Sequence, residues 1–160
     1  MDFSRHITNT IEWFYFEDVT SGRERDASVL VLGDKETTAP FVILLEPRVH
    51  QVSRRLDDST YDYVVIPVLT KKILRLFQGD VHTMLHALTE TWLKKGGRIL
   101  MGIENALDID RMASSDRKED ILYLRWSELA SLRATLREEQ PGARETLYYL
   151  TPELNIPLHF

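Results

Sequence analysis

The chain of 160 residues contains no cysteine. This absence excludes disulfide bonds, thiolate metal ligands and a cysteine nucleophile, and it is typical of proteins in a reducing compartment. No uncharged apolar run approaches the roughly 20 residues that span a bilayer, and the first residues lack the basic-then-apolar pattern of a signal peptide. We therefore expect a cytoplasmic protein with no membrane span.

A strong excess of charge of either sign is also lacking. The formal net charge is −5, with 20 basic and 25 acidic residues, so we expect no nucleic-acid partner. Hydrophobic residues make up 43% and charged residues 28% of the chain, which is typical of a soluble globular protein. No internal repeat or linker divides the sequence. We therefore expect one domain, 1–160, in which residues 1–27 form an N-terminal extension.

Apolar runs and turn signals predict an α/β fold. Continuous apolar stretches bounded by Gly or Pro are typical of buried central strands, whereas apolar residues at helical spacing indicate helices. Strands are predicted at 28–33, 41–46, 61–69, 98–103, 144–150 and 155–160. Helices are predicted at 48–56, 70–78 and 81–95, and a further one follows Ser127.

Local signals mark the ends of these helices. Gly79 is a helix break, and Asp80 and Ser127 are placed to accept hydrogen bonds from the first turn of a helix as N-caps. Gly96-Gly97 is expected to end the helix at 81–95, and Pro141-Gly142 the last helix.

The first two predicted strands are joined by only seven residues, 34–40. A parallel connection that includes a helix requires roughly a dozen residues or more. The spacing therefore predicts that strands 29–32 and 41–45 are antiparallel neighbours, or are joined without a helix. The turn at 57–60 likewise leads directly into the strand at 61–69.

Four segments carry a resemblance to a known family. They are YDYVV at 61–65, LKKGGRILMGIEN at 93–105, WSELASLRATL at 126–136 and YYLTPELNIPLHF at 148–160. In this order they resemble class I S-adenosylmethionine-dependent methyltransferases, in particular those found beside glycosyltransferases in bacterial surface-polysaccharide gene clusters. The resemblance implies a Rossmann-like three-layer sandwich with a C-terminal antiparallel strand pair. The third strand of the family and its helix are missing, so the fold is expected to be truncated.

The same resemblance implies cofactor-binding residues. Gly33 and Asp34 stand where the family's glycine-rich loop follows the first strand, and Glu46 matches its ribose-binding acid. Pro67, with Leu69, stands where the residues that face adenine or substrate follow a central strand. Gly33 is the one glycine of that loop present here, and Asp34 adds charge where bare backbone is needed. The alternative is that all of them are turn and strand-end residues.

The leading interpretation is a degenerate methyltransferase-like domain that has lost methyl transfer. It would bind or scaffold a partner in surface-polysaccharide biosynthesis, and we expect it not to bind S-adenosylmethionine. One alternative is an active methyltransferase acting on a sugar hydroxyl, with an Asp or Glu near the strand ends as base. The other is a module that binds a nucleotide or nucleotide-sugar. No Ser-His-Asp motif or phosphate-binding P-loop points elsewhere.

Two further residue pairs are candidate sites. His82 and His86 have the i, i+4 spacing of metal-binding pairs, but the sequence offers no third ligand at a suggestive distance. We expect surface or partly packed histidines and no metal. Glu104-Asn105 ends a central strand, where it either faces a ligand or caps the following loop.

The N-terminal extension is rich in aromatic residues. Residues 11–19 are predicted to form a strand, or else a short helix, and include Trp13, Phe14, Tyr15 and Phe16. Four consecutive aromatic side chains in a strand point to both of its faces, and an edge strand usually has one face covered. We expect a homodimer through this segment, unless the rest of the same chain covers it.

Overall fold

The computed structural model describes residues 26–105, 120, 122–142, 148–150 and 157–159. For residues 104, 105, 123, 126 and the two C-terminal strands it describes the backbone alone. The aromatic segment 11–19 and most of the polar stretch 105–120 lie outside the described residues, so the expectations for them stay predictions.

Strands and helices alternate along the described chain. In order they are β1 (Ser28–Val31), α1 (Lys35–Leu45), β2 (Gln51–Ser53), β3 (Tyr61–Ile66), α2 (Lys71–Arg75), α3 (Val81–Ala87), β4 (Leu93–Met101), β5 (Glu104–Asn105), β6 (Tyr123–Leu124), α4 (Trp126–Glu139), β7 (Tyr148–Leu150) and β8 (Pro157–His159). A wider turn of π type, Leu88–Trp92, extends α3. No helix in the described part of the chain is both long and apolar enough to cross a membrane.

The first four strands form one parallel sheet in the order β2-β1-β3-β4. Val29 of β1 aligns with Val52 of β2 on one side and with Tyr63 of β3 on the other. β3 continues the sheet to β4, with Val64 aligned with Ile99. The predicted α/β class is confirmed at this level.

Helices cover both faces of the sheet because alternate strand residues point to opposite sides. On one face Val29 and Val31 pack with the buried residues of α1. On the other face Leu30 and Leu32 pack with the buried residues of α2 and α3, and with one side of α4. The sheet is therefore the middle of three layers.

The predicted strand at 41–46 is wrong, because these residues belong to helix α1. Residues 48–56, predicted as a helix, instead contain β2, which lies parallel to β1. The expected antiparallel pair, or a connection without a helix, is wrong for the same reason. The connection 34–40 is the first half of a crossover helix and not a loop between two strands.

Helix α1 carries no charge from residue 37 to residue 45 and is apolar on all sides from Ala39 onward, which hid its helical period. Asp34 caps it, since the side chain accepts a hydrogen bond from the Thr37 N–H at 2.9 Å. Pro40 lies inside the helix and donates no hydrogen bond to the Glu36 carbonyl one turn earlier. Glu36 is exposed, so water can satisfy that carbonyl.

The helical crossover from β3 to β4 agrees more closely with the prediction. Asp80 caps α3 by accepting hydrogen bonds from the His82 and Thr83 N–H groups, as expected. Gly79 has a φ of 92° and separates α2 from α3. The predicted role of Gly96-Gly97 is wrong, because the helical segment ends at Trp92 and both glycines lie inside β4.

Gly97 is required by the close approach of two strands. A Cβ atom there would lie 2.9 Å from the backbone oxygen of Asp62 in β3 and 2.8 Å from the Leu93 side chain. Between Leu93 and Arg98 the register of β4 against β3 is irregular. The glycine pair therefore shapes a bulge in the strand.

The last helix and the C-terminal strands complete the described chain. α4 begins one residue before the predicted cap Ser127, and Glu128 accepts a hydrogen bond from the Arg125 N–H at 2.6 Å. It ends at Glu139, before Pro141-Gly142 as expected. β7 and β8 pair antiparallel in a two-stranded sheet of their own, separate from the four-stranded sheet.

Candidate functional site

The carboxyl edge of the parallel sheet contains the candidate site. β1 has β2 on one side and β3 on the other, and the chain leaves β1 and β3 toward opposite faces. Such a change of direction opens a crevice beyond the strand ends, which is where open α/β sheets bind ligands. Leu32, just after β1, donates its N–H to the Val65 carbonyl of β3 at 2.9 Å, which fixes the two ends side by side.

Three of the four predicted cofactor residues meet at this edge. Gly33 and Asp34 follow β1, and Pro67 follows β3, the neighbouring strand. Glu46 does not join them. It is the C-cap of α1 and therefore lies at the opposite, amino edge, where the crossover helix returns to the start of the strands.

The turn after β1 is closed tightly against the first turn of α1. A Cβ atom on Gly33 would lie 2.9 Å from the Thr38 methyl group and 3.0 Å from the Thr37 hydroxyl, and its φ is 156°. The hydroxyl of Thr38, a buried residue, donates to the Asp34 carbonyl at 2.7 Å. The glycine is needed here for helix–strand packing, which leaves its Cβ position filled by protein.

The carboxylate of Asp34 occupies the N-terminus of α1. It accepts from the Thr37 N–H and lies 3.2 Å from the Thr37 hydroxyl. A free helix N-terminus attracts anions, but a carboxylate already bound there supplies that negative charge. This first turn is therefore closed to a second anion.

Arg54 is a further residue at the candidate site, and the sequence analysis did not identify it. It follows β2 directly and donates a hydrogen bond from its guanidinium to the Thr38 hydroxyl at 3.1 Å. The end of the second strand thus carries a cation beside α1. β2 has only three residues and no alternating pattern, so no sequence signal marked the position.

The segment after β3 is built into the fold. Pro67, Val68 and Leu69 are all buried. Leu69 donates its N–H to the Gly102 carbonyl at 2.9 Å, and the Leu122 N–H donates to the Leu69 carbonyl at 3.0 Å. The backbone of Leu69 therefore has partners within the protein, and its side chain packs in the cluster beneath α2 and α3.

The two other candidate pairs, His82/His86 and Glu104-Asn105, add no side chain that is described at this edge. His82 Nε2 lies 2.6 Å from Glu139 Oε2 of α4, while His86 is exposed. Within the described residues, no group of three His, Asp or Glu side chains is arranged to hold a metal. Glu104 and Asn105 form β5, which pairs in parallel with β6, and only their backbone is described.

Two carboxylates fix the amino edge of the sheet. Asp62 accepts from the Ser28 N–H at 2.8 Å and from Lys94 Nζ at 2.8 Å. Burial acts to raise the pKa of Asp62, but the hydrogen bonds from Lys94 and Ser28 outweigh it and hold the pKa below its ordinary value. This cluster is satisfied internally and joins β1, β3 and β4.

The second carboxylate of the amino edge, Asp57, anchors the segment that precedes β3. It accepts from the buried Tyr61 hydroxyl at 2.8 Å, and that bond is the main cause of its lowered pKa. Burial, together with the hydrogen bond to Asp57 and the charge of that carboxylate, raises the pKa of Tyr61 and outweighs Ser53 and Ser59, which lower it. The Trp92 indole N–H donates to the Asp57 carbonyl at 2.7 Å, which ties the end of the α3 segment to the same place.

At the carboxyl edge, the side chain that follows the second strand is that of Arg54, which can only donate hydrogen bonds. The acid that binds ribose hydroxyls in dinucleotide-binding sheets is instead an acceptor. Glu46, the matching acid by sequence, is at the other edge, and Asp34 is engaged by its own helix. No family model, curated protein or solved structure matches the chain.

Proposed function

We propose that this chain is a non-catalytic, methyltransferase-like domain that binds or scaffolds a partner. The observation that carries the proposal is Arg54 at the end of β2, where a cofactor of the adenosyl type requires a carboxylate. An acid could not act there by rotation of a side chain, because the candidate Glu46 is separated from the edge by the length of α1.

The topology supports a truncated Rossmann-like origin. The strand order β2-β1-β3-β4 is that of a doubly wound sheet. Only residues 54–60 connect β2 to β3, without a helix or strand among them, and Leu56 of this segment packs on the face formed by α2 and α3. A short extended crossover of this kind takes the place of a full strand-and-helix unit.

The biological setting follows from the sequence resemblance. The domain would work in the cytoplasm, in surface-polysaccharide biosynthesis, and its partner would be another protein of that process. A homodimer through the aromatic segment 11–19 is the alternative assembly. A scaffolding role needs a stable fold and an exposed interaction surface, and it needs no reactive group at the strand ends.

Calorimetric titration with S-adenosylmethionine and S-adenosylhomocysteine tests the proposal. We expect no saturable heat with either compound at concentrations up to the millimolar range. The matched variant Arg54→Glu places an acceptor at the end of β2, and Arg55→Glu is its control for net charge. A gain of binding in Arg54→Glu alone would show that Arg54 is what closes the site to this cofactor.

A second candidate function is binding of a nucleotide or nucleotide-sugar. The guanidinium of Arg54 favours it, since a forked cation beside a sheet's carboxyl edge suits a phosphate group. Titration with a nucleoside diphosphate and a nucleoside diphosphate sugar would detect it, with Arg54→Ala expected to abolish the heat and Arg55→Ala to preserve it. The Asp34 carboxylate at the first turn of α1 opposes this reading.

Methyl transfer to a sugar hydroxyl is the weakest candidate. It requires a base at the carboxyl edge, where Asp34 follows β1 and Glu104 follows β4 at the same distance in sequence. The Asp34 carboxylate serves as the cap of α1, so a proton accepted there would weaken the helix start. Glu104 belongs to β5, and only its backbone is described.

A further inference from the structure

Beyond its first turn, which carries the exposed Glu36, the side of α1 that faces away from the sheet is apolar. Thr38, Phe41, Val42 and Leu45 are buried against the sheet. Ala39, Pro40, Ile43 and Leu44 form the opposite side, which we call the outer face of α1. Ile43 is 72% exposed, the most exposed large hydrophobic residue in the described part of the chain, and the other three are partly buried. A helix that is apolar all round is normally covered on all sides.

The exposed end of this face lies where the N-terminal extension joins the domain. α1 runs back toward the amino edge, and the Val49 N–H donates to the Leu45 carbonyl at 3.1 Å. The His50 N–H then donates to the Ala27 carbonyl at 2.9 Å, directly before β1. Ala27, Leu45 and Val49 belong to one buried cluster. The last turn of α1, with Ile43, is therefore close to the point at which residues 1–25 enter.

We propose that the aromatic segment 11–19 of the same chain docks on the outer face of α1. Residues 20–25 link the segment to Asp26, and six residues can span roughly 20 Å when extended. α1 is shorter than this, since 11 residues rise by roughly 16 Å. The linker can therefore bring the segment onto any part of the outer face without help from a second copy.

The chemistry of the two surfaces is matched. Residues 37–45 carry no charge, and four consecutive aromatic residues, 13–16, supply large apolar side chains. Aromatic side chains remove large apolar areas from water at a small cost in side-chain entropy. In this contact Ile43 and one side of the aromatic segment bury each other. A dimer interface is then not needed to bury that side of the segment.

Disulfide trapping tests the docking directly, because the chain has no cysteine of its own. Four double variants pair Ile43→Cys with Trp13→Cys, Phe14→Cys, Tyr15→Cys or Phe16→Cys. Four matched controls replace Ile43→Cys with Leu76→Cys. Leu76 is 64% exposed but follows α2 on the other face of the sheet. Residues 43 and 76 are both exposed, so a cysteine at either position should not disturb folding.

We expect at least one Ile43 pair to close a disulfide within a single chain, at least about tenfold faster than its Leu76 control, as a preformed contact would. Non-reducing electrophoresis and intact mass under mild oxidation measure the rate and the size of the product. Equal rates for all Ile43 and Leu76 pairs would overturn the docking. Disulfides formed only between two chains would overturn docking within one chain and indicate a dimer with an exchanged segment.

Discussion

The two helical crossovers of the parallel sheet have the same topology and opposite sequence character. The first, β1-α1-β2, uses a helix that is apolar on both sides. The second, β3 to β4, uses α2 and α3, which bury one side and expose charged or polar residues such as Lys72 and His86 on the other. The difference shows that an amphipathic helix reveals itself by its period, whereas an apolar helix resembles a buried strand.

The largest expected effect is on stability, and it tests whether residues 41–45 are helical, as in α1, or form a strand. In a strand Phe41 and Ile43 would point to the same face, but in α1 Phe41 is fully buried and Ile43 exposed. We expect Phe41→Ala to lower the free energy of unfolding by about 3–5 kcal/mol. Ile43→Ala should change it by less than about 1 kcal/mol even if the segment 11–19 covers this side chain partly. Urea denaturation of the two variants measures both, and similar losses would contradict α1.

The second crossover offers the next largest effect. Gly97→Ala forces a Cβ atom against the backbone of β3, so we expect a loss of about 1–3 kcal/mol of unfolding free energy. Gly96→Ala is the matched control, because Gly96 has a φ of 80° but no atom within 4 Å of the added Cβ. The cost of Gly96→Ala comes only from holding alanine at a positive φ, which is about 1 kcal/mol. An equal cost at the two positions would argue against the close approach of β4 to Asp62.

A smaller effect of opposite sign is expected from Pro40→Ala. In a helix the new N–H can donate to the Glu36 carbonyl, and alanine has the highest helix propensity. The gain is partly offset by the greater freedom of the unfolded chain, which leaves a stabilisation of about 1–2 kcal/mol. Pro47→Ala, just beyond the helix, is the control and should not stabilise. No gain at residue 40 would contradict a helical backbone there.

The smallest effect concerns acid stability at the amino edge. The pKa of Asp62 is lower in the folded than in the unfolded protein. Its contribution to the free energy of unfolding is therefore fully present above the unfolded-state pKa and is lost as the pH falls through the folded-state pKa. Asp62→Asn should therefore reduce stability at pH 7 and flatten its decline below about pH 4. Because the pair with Lys94 is part-exposed, the ion-pair share is less than about 1 kcal/mol. Acid titration of both proteins, followed by circular dichroism, measures the effect. If the stability of wild type and of Asp62→Asn declined equally as the pH falls, Asp62 would not have this role.

The predictability of the fold follows from the same contrast. The class, the cap at Asp80 and the end of α4 could be predicted, since each rests on a local signal that tertiary contacts reinforce. The prediction that residues 34–40 are too few for a helical crossover was wrong because residues 41–45, taken as the next strand, belong to the helix itself. The seven residues 54–60 show that a crossover of that length does occur here, in an extended form without a helix.

The candidate site was predictable in part for similar reasons. Gly33, Asp34 and Pro67 follow neighbouring strands, so identifying the strands was enough to bring them to one edge. Glu46 was misplaced with the strand that proved to be α1. Arg54 could not be found, because its position depends on β2, whose pairing with β1 is a property of the tertiary structure and not of three residues.

The most direct test of the central claim is calorimetric titration of the folded protein with S-adenosylmethionine. The donor side chain of Arg54 at the end of β2 and the closed turn at Gly33 lead us to expect no saturable binding. A dissociation constant of about 100 μM or tighter, which corresponds to about −5.5 kcal/mol, would contradict the account.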